Sequence, residues 1–496
     1  MSVRWRSRIV VTLALALISW GCVVGPNYKR PLAPSTPMFK EQPPVNFKEA
    51  EAAGWKQSQP GDAYSKGRWW EVYNDPALNA LEERVAVSNQ NVLQVEAQYR
   101  QAKAAVGVAR AALFPTVSTG PAITASGGGA GATTGSTSVT SGNRTSFNLP
   151  FNVSWEPDLW GSIRRSVTAS ASTAQSLAAE VGNARLLYQA ELAQDYFGLH
   201  GLDGEMELLT RTEASYQEYL TLTQNRFSAG IASDLDVAQA ESQLYDLQSR
   251  LIDLGVQRAA FEHAVAILTG KAPAELTIAP ASLSTPPPPV PVGVPSELLE
   301  RRPDIAAAER QVAAANEQIG IAQAAFYPNL SLTASAGLES SSLAKWFTWP
   351  SRFWSVGPQL AETLFDAGRR RGVVAEGQAA YDATVAAYRE TVLTAMQQVE
   401  DNLAALRILA QEADKVQQTV QSATRALDIS AAQYRAGTAS YLTVITSQAT
   451  LLNADVTGVE LLTRRLTASV LLIEALGGGW NVSQLPPKPD LTARQK

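Results

Sequence analysis

The sequence predicts a mixed, mainly α chain, built as two tandem copies of one structural module that joins long helices to a β-hairpin. Three observations predict it. The chain matches itself: GVARAALFPTVS (Gly107–Ser118) aligns with GIAQAAFYPNLS (Gly320–Ser331), FSAGIASDLDV (Phe227–Val237) with YRAGTASYLTV (Tyr434–Val444), and Arg258 falls on Arg465. Each copy holds a long proline-free run, 162–228 and 367–436, enough for a helix of about 100 Å at roughly 1.5 Å per residue. Each also holds stretches that alternate apolar with polar residues, as in FNLPFNVSW (Phe147–Trp155). The repeat of about 210 residues is far longer than a solenoid unit, so a whole module is duplicated.

In chain order, Arg4, Arg6 and Arg8 precede the apolar run Ile9–Ile18. That run is too short to span a bilayer and reads as a secretory signal over residues 1–21. The only cysteine, Cys22, follows Gly21 where such a signal is cut, and a single cysteine forms no internal disulfide. An N-terminal segment, 22–88, carries Trp55, Trp69 and Trp70, expected to anchor it against the helices. The first repeat is expected over 89–280. It has a helix Asn91–Leu113 stopped by Phe114-Pro115, a hairpin 116–156, and long helices 162–228 and 233–269. A proline-rich connector, 281–300, reads as an extended surface strap.

The second repeat, 301–478, restates the order: a helix Asp304–Phe326 ended by Tyr327-Pro328, a hairpin 329–362, and long helices 367–436 and 440–476, before a tail 479–496. Gly230 and Gly437 break the long runs, and Ser233 and Ser440 are the expected N-caps that follow. The last helix keeps 3-4 apolar spacing from Leu442 through Ile473, and the matching helix from Val237 to Leu268 does the same apart from Arg258. A second stripe on the last helix, including Val444, Leu451 and Leu461, lies beside the first seam. Two seams on one helix predict neighbours on both sides, a wall of helices.

Four strands of about ten residues have the length to cross a membrane obliquely. Phe147, Leu149, Phe151, Val153 and Trp155 are expected to face lipid, and Asn148, Asn152 and Ser154 the lumen. Pro150 removes a ladder donor, which predicts a local bulge. Four strands cannot close a barrel and open edges are not tolerated in lipid. Other copies must complete it, and a dimer with eight strands or a trimer with twelve both satisfy the count.

Composition excludes other classes. A net charge of -5 and a pI near 5.4, with no basic stripe, argue against a nucleic-acid partner. His200 and His263 are the only histidines and lie in helical stretches without metal-ligand or phosphate-loop motifs. No enzyme activity, cofactor or metal site is expected. The competing class is a non-conducting structural coiled-coil lipoprotein.

GCVVGPNYKRP (Gly21–Pro31), WWEVYNDPALNAL (Trp69–Leu81), RRPDIAAAERQ (Arg301–Gln311), AAFYPNLSL (Ala324–Leu332) and YRAGTASYLTV (Tyr434–Val444) closely resemble the TolC-like outer-membrane efflux factors, in their lipid-anchored branch (OprM and NodT type). The resemblance covers nearly the whole mature chain. It implies a homotrimer with a transmembrane β-barrel, four strands from each chain, joined to a long-helix periplasmic α-barrel with an equatorial belt. It implies the outer membrane of a Gram-negative bacterium as location, and a passive exit duct as function. The implied partners are a periplasmic adaptor and an inner-membrane pump of RND type, with a type I protein-secretion role as the variant within the class. It implies lipidation of Cys22, although Ser19 and Trp20 depart from the usual lipobox; Val23 rather than Asp after the cysteine favours outer-membrane sorting. The gate is implied at the two helix turns. There the family's ring carboxylates are replaced by Thr443 and Thr446, and its latching arginine by Ala439. Asp234 and Asp236 remain in the first turn, with Tyr434, Arg435 and Tyr441 as the other gate candidates.

Overall fold

Duplication shows first in element lengths. The computed structural model describes residues 23–34, 36–41, 67–127, 144–290 and 295–488; the signal, Cys22, Trp55 and most of the Gly/Ser/Thr loop lie outside them. After a 3-10 turn at Trp69–Tyr73 come α1 (Pro76–Ser88) and α2 (Gln90–Ala111), then β1 (Thr116–Thr119), β2 (Ala122–Ser126) and β3 (Arg144–Trp155). Next are α3 (Ser162–Ser228), α4 (Asp234–Leu268), the short α5 (Leu298–Arg301) and α6 (Pro303–Ala324). β4 (Asn329–Ser340), β5 (Arg352–Ala361), α7 (Arg369–Arg435) and α8 (Tyr441–Ala475) complete the chain. Helices α3 and α7 have 67 residues each, α4 and α8 have 35 each, and α2 and α6 have 22 each. Both copies therefore retain the same rods.

The helices form a layer. α3 packs against α4 on one side and α8 on the other, and α8 packs against α7, giving the order α4-α3-α8-α7. Toward the strands, α2 and α6 lie against α3, and α6 also against α7. One apolar core sits midway along the rods, where Trp69, Trp70 and Leu78 meet Leu192, Ile305, Tyr388, Leu403 and Leu472. This bears out the anchoring role of Trp69 and Trp70. A second core, with Leu209, Tyr216, Leu244, Tyr434, Tyr441 and Ile445, fills the far end near the turns.

The connector is held as a strap. Asp203 on α3 accepts from Arg258 Nε at 2.6 Å, from His200 Nδ1 at 3.0 Å and from the Ala281 amide at 3.1 Å. Arg258 also donates to the Ile278 carbonyl at 2.8 Å. Arg258, which interrupts the α4 seam, is thus spent on tying the connector to the layer.

The passage from sheet to helix uses one device twice. Gly161 (φ 82°) and Gly368 (φ 89°) occupy the N-cap positions of α3 and α7, where a side chain would be strained. Because glycine has no capping side chain, an upstream acid serves instead. Asp158 accepts from the amides of Ile163 and Arg164 and from Arg164 Nε, and Asp366 does the same for Gly368 and Arg370.

Candidate functional site

The five strands form one antiparallel sheet in which β3 and β4 are central, β1 and β2 share one edge and β5 is the other. Residues paired across antiparallel strands share a face. The register sets Val153 beside Val117 and Ala334, Phe151 beside Ala336, Leu149 beside Leu338, Phe147 beside Ile123, and Trp155 beside Leu332. β5 extends the same face with Trp354, Val356, Pro358 and Leu360. The opposite face carries Ser118, Thr124, Asn148, Asn152, Ser154, Thr333, Ser335 and Gln359, and Ser335 donates to Asn152 Oδ1 at 2.8 Å. The predicted quintet Phe147, Leu149, Phe151, Val153 and Trp155 thus lies on one apolar face that continues over every strand. Much of it is bare in the single chain: Trp354 is 78% exposed, Val356 73% and Val117 70%.

The predicted bulge at Pro150 does not form. β3 pairs with β4 without interruption from Phe147 to Trp155, with Pro150 opposite Gly337. On its other side two residues lie between Thr119 and Ala122 and two between Asn148 and Phe151, so the register is unchanged across the gap. The missing donor of Pro150 is accommodated by breaking the partner strand at Gly120-Pro121. Across the other ladder Gly337 allows the close approach, because a Cβ there would stand 2.2 Å from the Leu149 carbonyl oxygen.

The N-terminal segment begins at this same level. The Val24 amide donates to the Trp160 carbonyl at 3.1 Å, Arg165 Nε donates to the Val24 carbonyl at 2.7 Å, and Arg165 forms a buried pair with Glu317 at 2.6 Å. Trp160 stacks on Tyr327 with ring centroids 4.7 Å apart. From there the segment runs along the helices. The Pro26 carbonyl meets Asn316, the Tyr28 hydroxyl meets Glu309, and the amides of Lys40 and Glu41 meet Glu400. Cys22 lies outside the described residues, two positions before Val24.

At the opposite end are the two predicted turns. Both long helices stop with the same glycine cap. The Ile231 amide reaches the Arg226 carbonyl and that of Gly230 reaches Phe227; Thr438 and Gly437 repeat this with Gln433 and Tyr434. The next helices start differently. Ser233 donates from both its amide and its hydroxyl to Asp236 Oδ2, each at 2.9 Å, and receives the Asp236 amide at 3.3 Å, a closed capping box. Ser440 makes no such cap and faces the Thr443 hydroxyl at 3.3 Å instead. Thr446 turns back to the Thr443 carbonyl at 3.0 Å, and both threonines are exposed. Asp234 is exposed in the first turn of α4.

A latch from Asp236 to Tyr434 or Arg435 is therefore not formed within the chain. Asp236 is taken up by its own cap, Arg435 is exposed, and Tyr434 is held by α3. Arg226 Nη1 donates to the Tyr434 carbonyl at 2.6 Å and its guanidinium lies 4.6 Å from the Tyr434 ring centroid. Thr223 meets the Tyr434 hydroxyl at 3.2 Å, and the Tyr441 ring lies 5.4 Å away, tilted. Burial holds the Tyr441 phenol neutral, its pKa pushed up further by Tyr434, Tyr216, Tyr219 and Asp236. Arg226 and Thr223 are absent from the sequence-based candidates. The available signal was a departure within the repeat, which pairs Arg226 with Gln433.

Among the described residues, no group of three or more His, Cys, Asp or Glu is placed to hold a metal, and no helix is long and apolar enough to cross a membrane.

Comparison with known proteins adds a family match, described as "Outer membrane efflux protein", over residues 81–271 and 294–478. The toluene efflux pump outer membrane protein TtgC of Pseudomonas putida is 30% identical over 497 residues, covering 96% of this chain and 96% of its own. The pyoverdine export outer membrane protein OpmQ of Pseudomonas aeruginosa is 30% identical over 447 residues, covering 88% and 93%. Among solved structures, the outer-membrane channel OprN superposes with a TM-score of 0.85 at 26% identity, over 92% of this chain and 100% of that one. The Campylobacter jejuni CmeC outer membrane channel, at 23% identity, shares the fold with a TM-score of 0.86 over 93% and 96%.

Proposed function

The chain belongs to the outer membrane efflux protein family, and on that premise we propose that it is the exit duct of a tripartite efflux system. Three copies, four strands each, close a barrel in the outer membrane of a Gram-negative bacterium, and their long helices close a second barrel in the periplasm. The observation that carries this reading is the sheet: one face mainly apolar across all strands, the other mainly polar apart from Pro150 and Phe353, and two unpaired edges, β1/β2 and β5. Such edges are not tolerated in lipid and find partners when β5 of one copy meets β1/β2 of the next, a head-to-tail contact that closes into a ring. Phe147, Leu149, Phe151, Val153 and Trp155 then face lipid.

The duct is passive. A periplasmic adaptor connects it to an inner-membrane pump of RND type, which supplies the energy; no catalytic step is assigned to this chain. The gate lies at the turns around Asp234, Asp236, Tyr434, Arg435, Tyr441, Thr443 and Thr446. Cys22 carries lipid, a reading supported by the bond from Val24 to Trp160, which brings the start of the described chain to the level where sheet becomes helix. Purified protein in a planar bilayer is expected to give discrete openings. Silence at several voltages, with the trimer intact and the Arg226→Ala variant equally silent, overturns the duct in favour of a non-conducting coiled-coil lipoprotein.

A further inference from the structure

Opposite the strap, α3 presents a second surface. Asp203, braced by His200, and Glu207 hold the connector, and Gly198, Leu202 and Glu205 lie about half a turn away on the opposite side of the helix, at roughly 100° per residue. On that side α3, α4 and α8 line an open cavity of about 740 Å³. It sits in the size range of small-molecule sites, roughly 300–1,000 Å³.

The glycines explain why the cavity exists. A Cβ on Gly198 would stand 2.9 Å from the Phe261 ring, and one on Gly201 would meet the Thr463 side chain. Bare backbone at these positions lets α4 and α8 approach α3 from both flanks, and Leu202 and Glu205 are the α3 side chains that line the space between them. The floor is apolar: Leu202, Leu254, Phe261 and Val459.

The polar lining is unbalanced. Glu205 is nine-tenths buried, and its cation, Arg250, stands 3.7 Å away, beyond hydrogen-bonding distance. Burial raises the Glu205 pKa, the charge of Glu460 raises it further, and Arg250 offsets this in part. Asp253 adds a third carboxylate, while Arg464 turns to Glu412 at 3.8 Å. Glu205, Asp253 and Glu460 thus face Arg250 and Arg464, both only loosely paired, which leaves the lining one negative charge in excess above an apolar floor.

We propose that this cavity is a transit site for organic cations with an apolar ring body, the rings resting on the floor and the positive nitrogen between Glu205 and Glu460. The site rests on the duct reading, under which the face opposite the connector is the lumenal one. It names a cargo class that the duct holds weakly on the way through.

The test is equilibrium binding to the full-length protein in detergent, read by fluorescence polarisation with rhodamine 6G as cationic probe and fluorescein as anionic probe. The parent is expected to prefer rhodamine 6G by at least tenfold. The double variant Glu205→Gln with Glu460→Gln is expected to lose at least tenfold in rhodamine affinity, and Gln257→Trp, which fills the cavity from an exposed position on α4, to abolish it with an unchanged melting curve. Equal binding of both probes, or rhodamine affinity within twofold of the parent in both variants, overturns the site. Bilayer recordings on the same preparations separate the two readings: a conducting protein that fails the binding test loses the site alone, and a silent one loses the duct.

Discussion

In the proposed gate, Tyr434 is the hub that ties the end of α7 to the end of α3, and Arg226 is its strongest tie. Replacing Arg226 with alanine removes a charge-assisted hydrogen bond of 2.6 Å and a guanidinium stacked 4.6 Å from the ring. Hydrogen bonds involving a charged group contribute about 1.5–3 kcal/mol and exposed cation–π contacts about 0.5–1 kcal/mol. Arg226 is only half-buried, so solvent screening brings the loss to about 2 kcal/mol per chain. At about 1.4 kcal/mol per factor of ten, that moves each latch roughly 30-fold toward release. The assay is open probability in a planar bilayer at low voltage. Arg226→Ala is expected to open far more often than the parent, Tyr434→Phe, which loses only the Thr223 contact, somewhat more often, and Arg435→Ala unchanged. Arg435 is the informative control, since it places the same charge, exposed, in the last turn of α7 and acts on α3 through Tyr219 rather than through Tyr434. An intact Arg226→Ala trimer with parental gating refutes the latch.

Three further outcomes are expected. Cys22→Ser abolishes lipid labelling yet leaves trimers in the membrane fraction, because the barrel itself holds the protein there; loss from the membrane means the strands do not anchor it. Burial pushes the Glu474 carboxyl up to about 7 from 4.5, with Asp304 and Glu191 adding to the rise and Arg302 opposing it. A raised folded-state pKa contributes stability that is full below about 4.5 and is lost as pH climbs toward 7, on the order of 3 kcal/mol. Thermal unfolding followed from pH 4.5 to 7.5 therefore shows falling stability in the parent and a flatter profile in Glu474→Gln. In the sheet, Gly337→Ala drives a Cβ against the Leu149 carbonyl and Pro150, at a cost of about 1–3 kcal/mol. The fraction migrating as folded trimer on gels falls, and an unaltered fraction shows that the ladder yields easily there.

The long elements were legible in the sequence because helix periodicity, proline and glycine act locally. The run 162–228 is α3 to the residue, and 233–269, 367–436 and 440–476 miss α4, α7 and α8 by no more than two residues at either end. Alternation in Phe147–Trp155 likewise announced an apolar face, since side chains in a strand point to opposite sides whatever the partner. Pro150 was misjudged for the converse reason. Whether a missing donor is met by a bulge or by a break depends on the neighbouring strand, and the break at Gly120-Pro121 is a property of the pair. The gate shows the same divide. Glycine stops, caps and carboxylates could be named in advance, yet Asp236 spends itself on Ser233, and the bridge to Tyr434 comes from Arg226, whose number is 208 away. The role of Arg258 also waited on the fold, because the strap it ties lies beyond the helix that carries it. By itself the sequence determined the modules, their lengths and which faces are apolar, all set by local backbone preference and side-chain period. Only the tertiary structure decided which polar groups meet across elements, because a hydrogen bond requires atoms within about 3 Å, and no spacing along one chain segment places a second segment that closely.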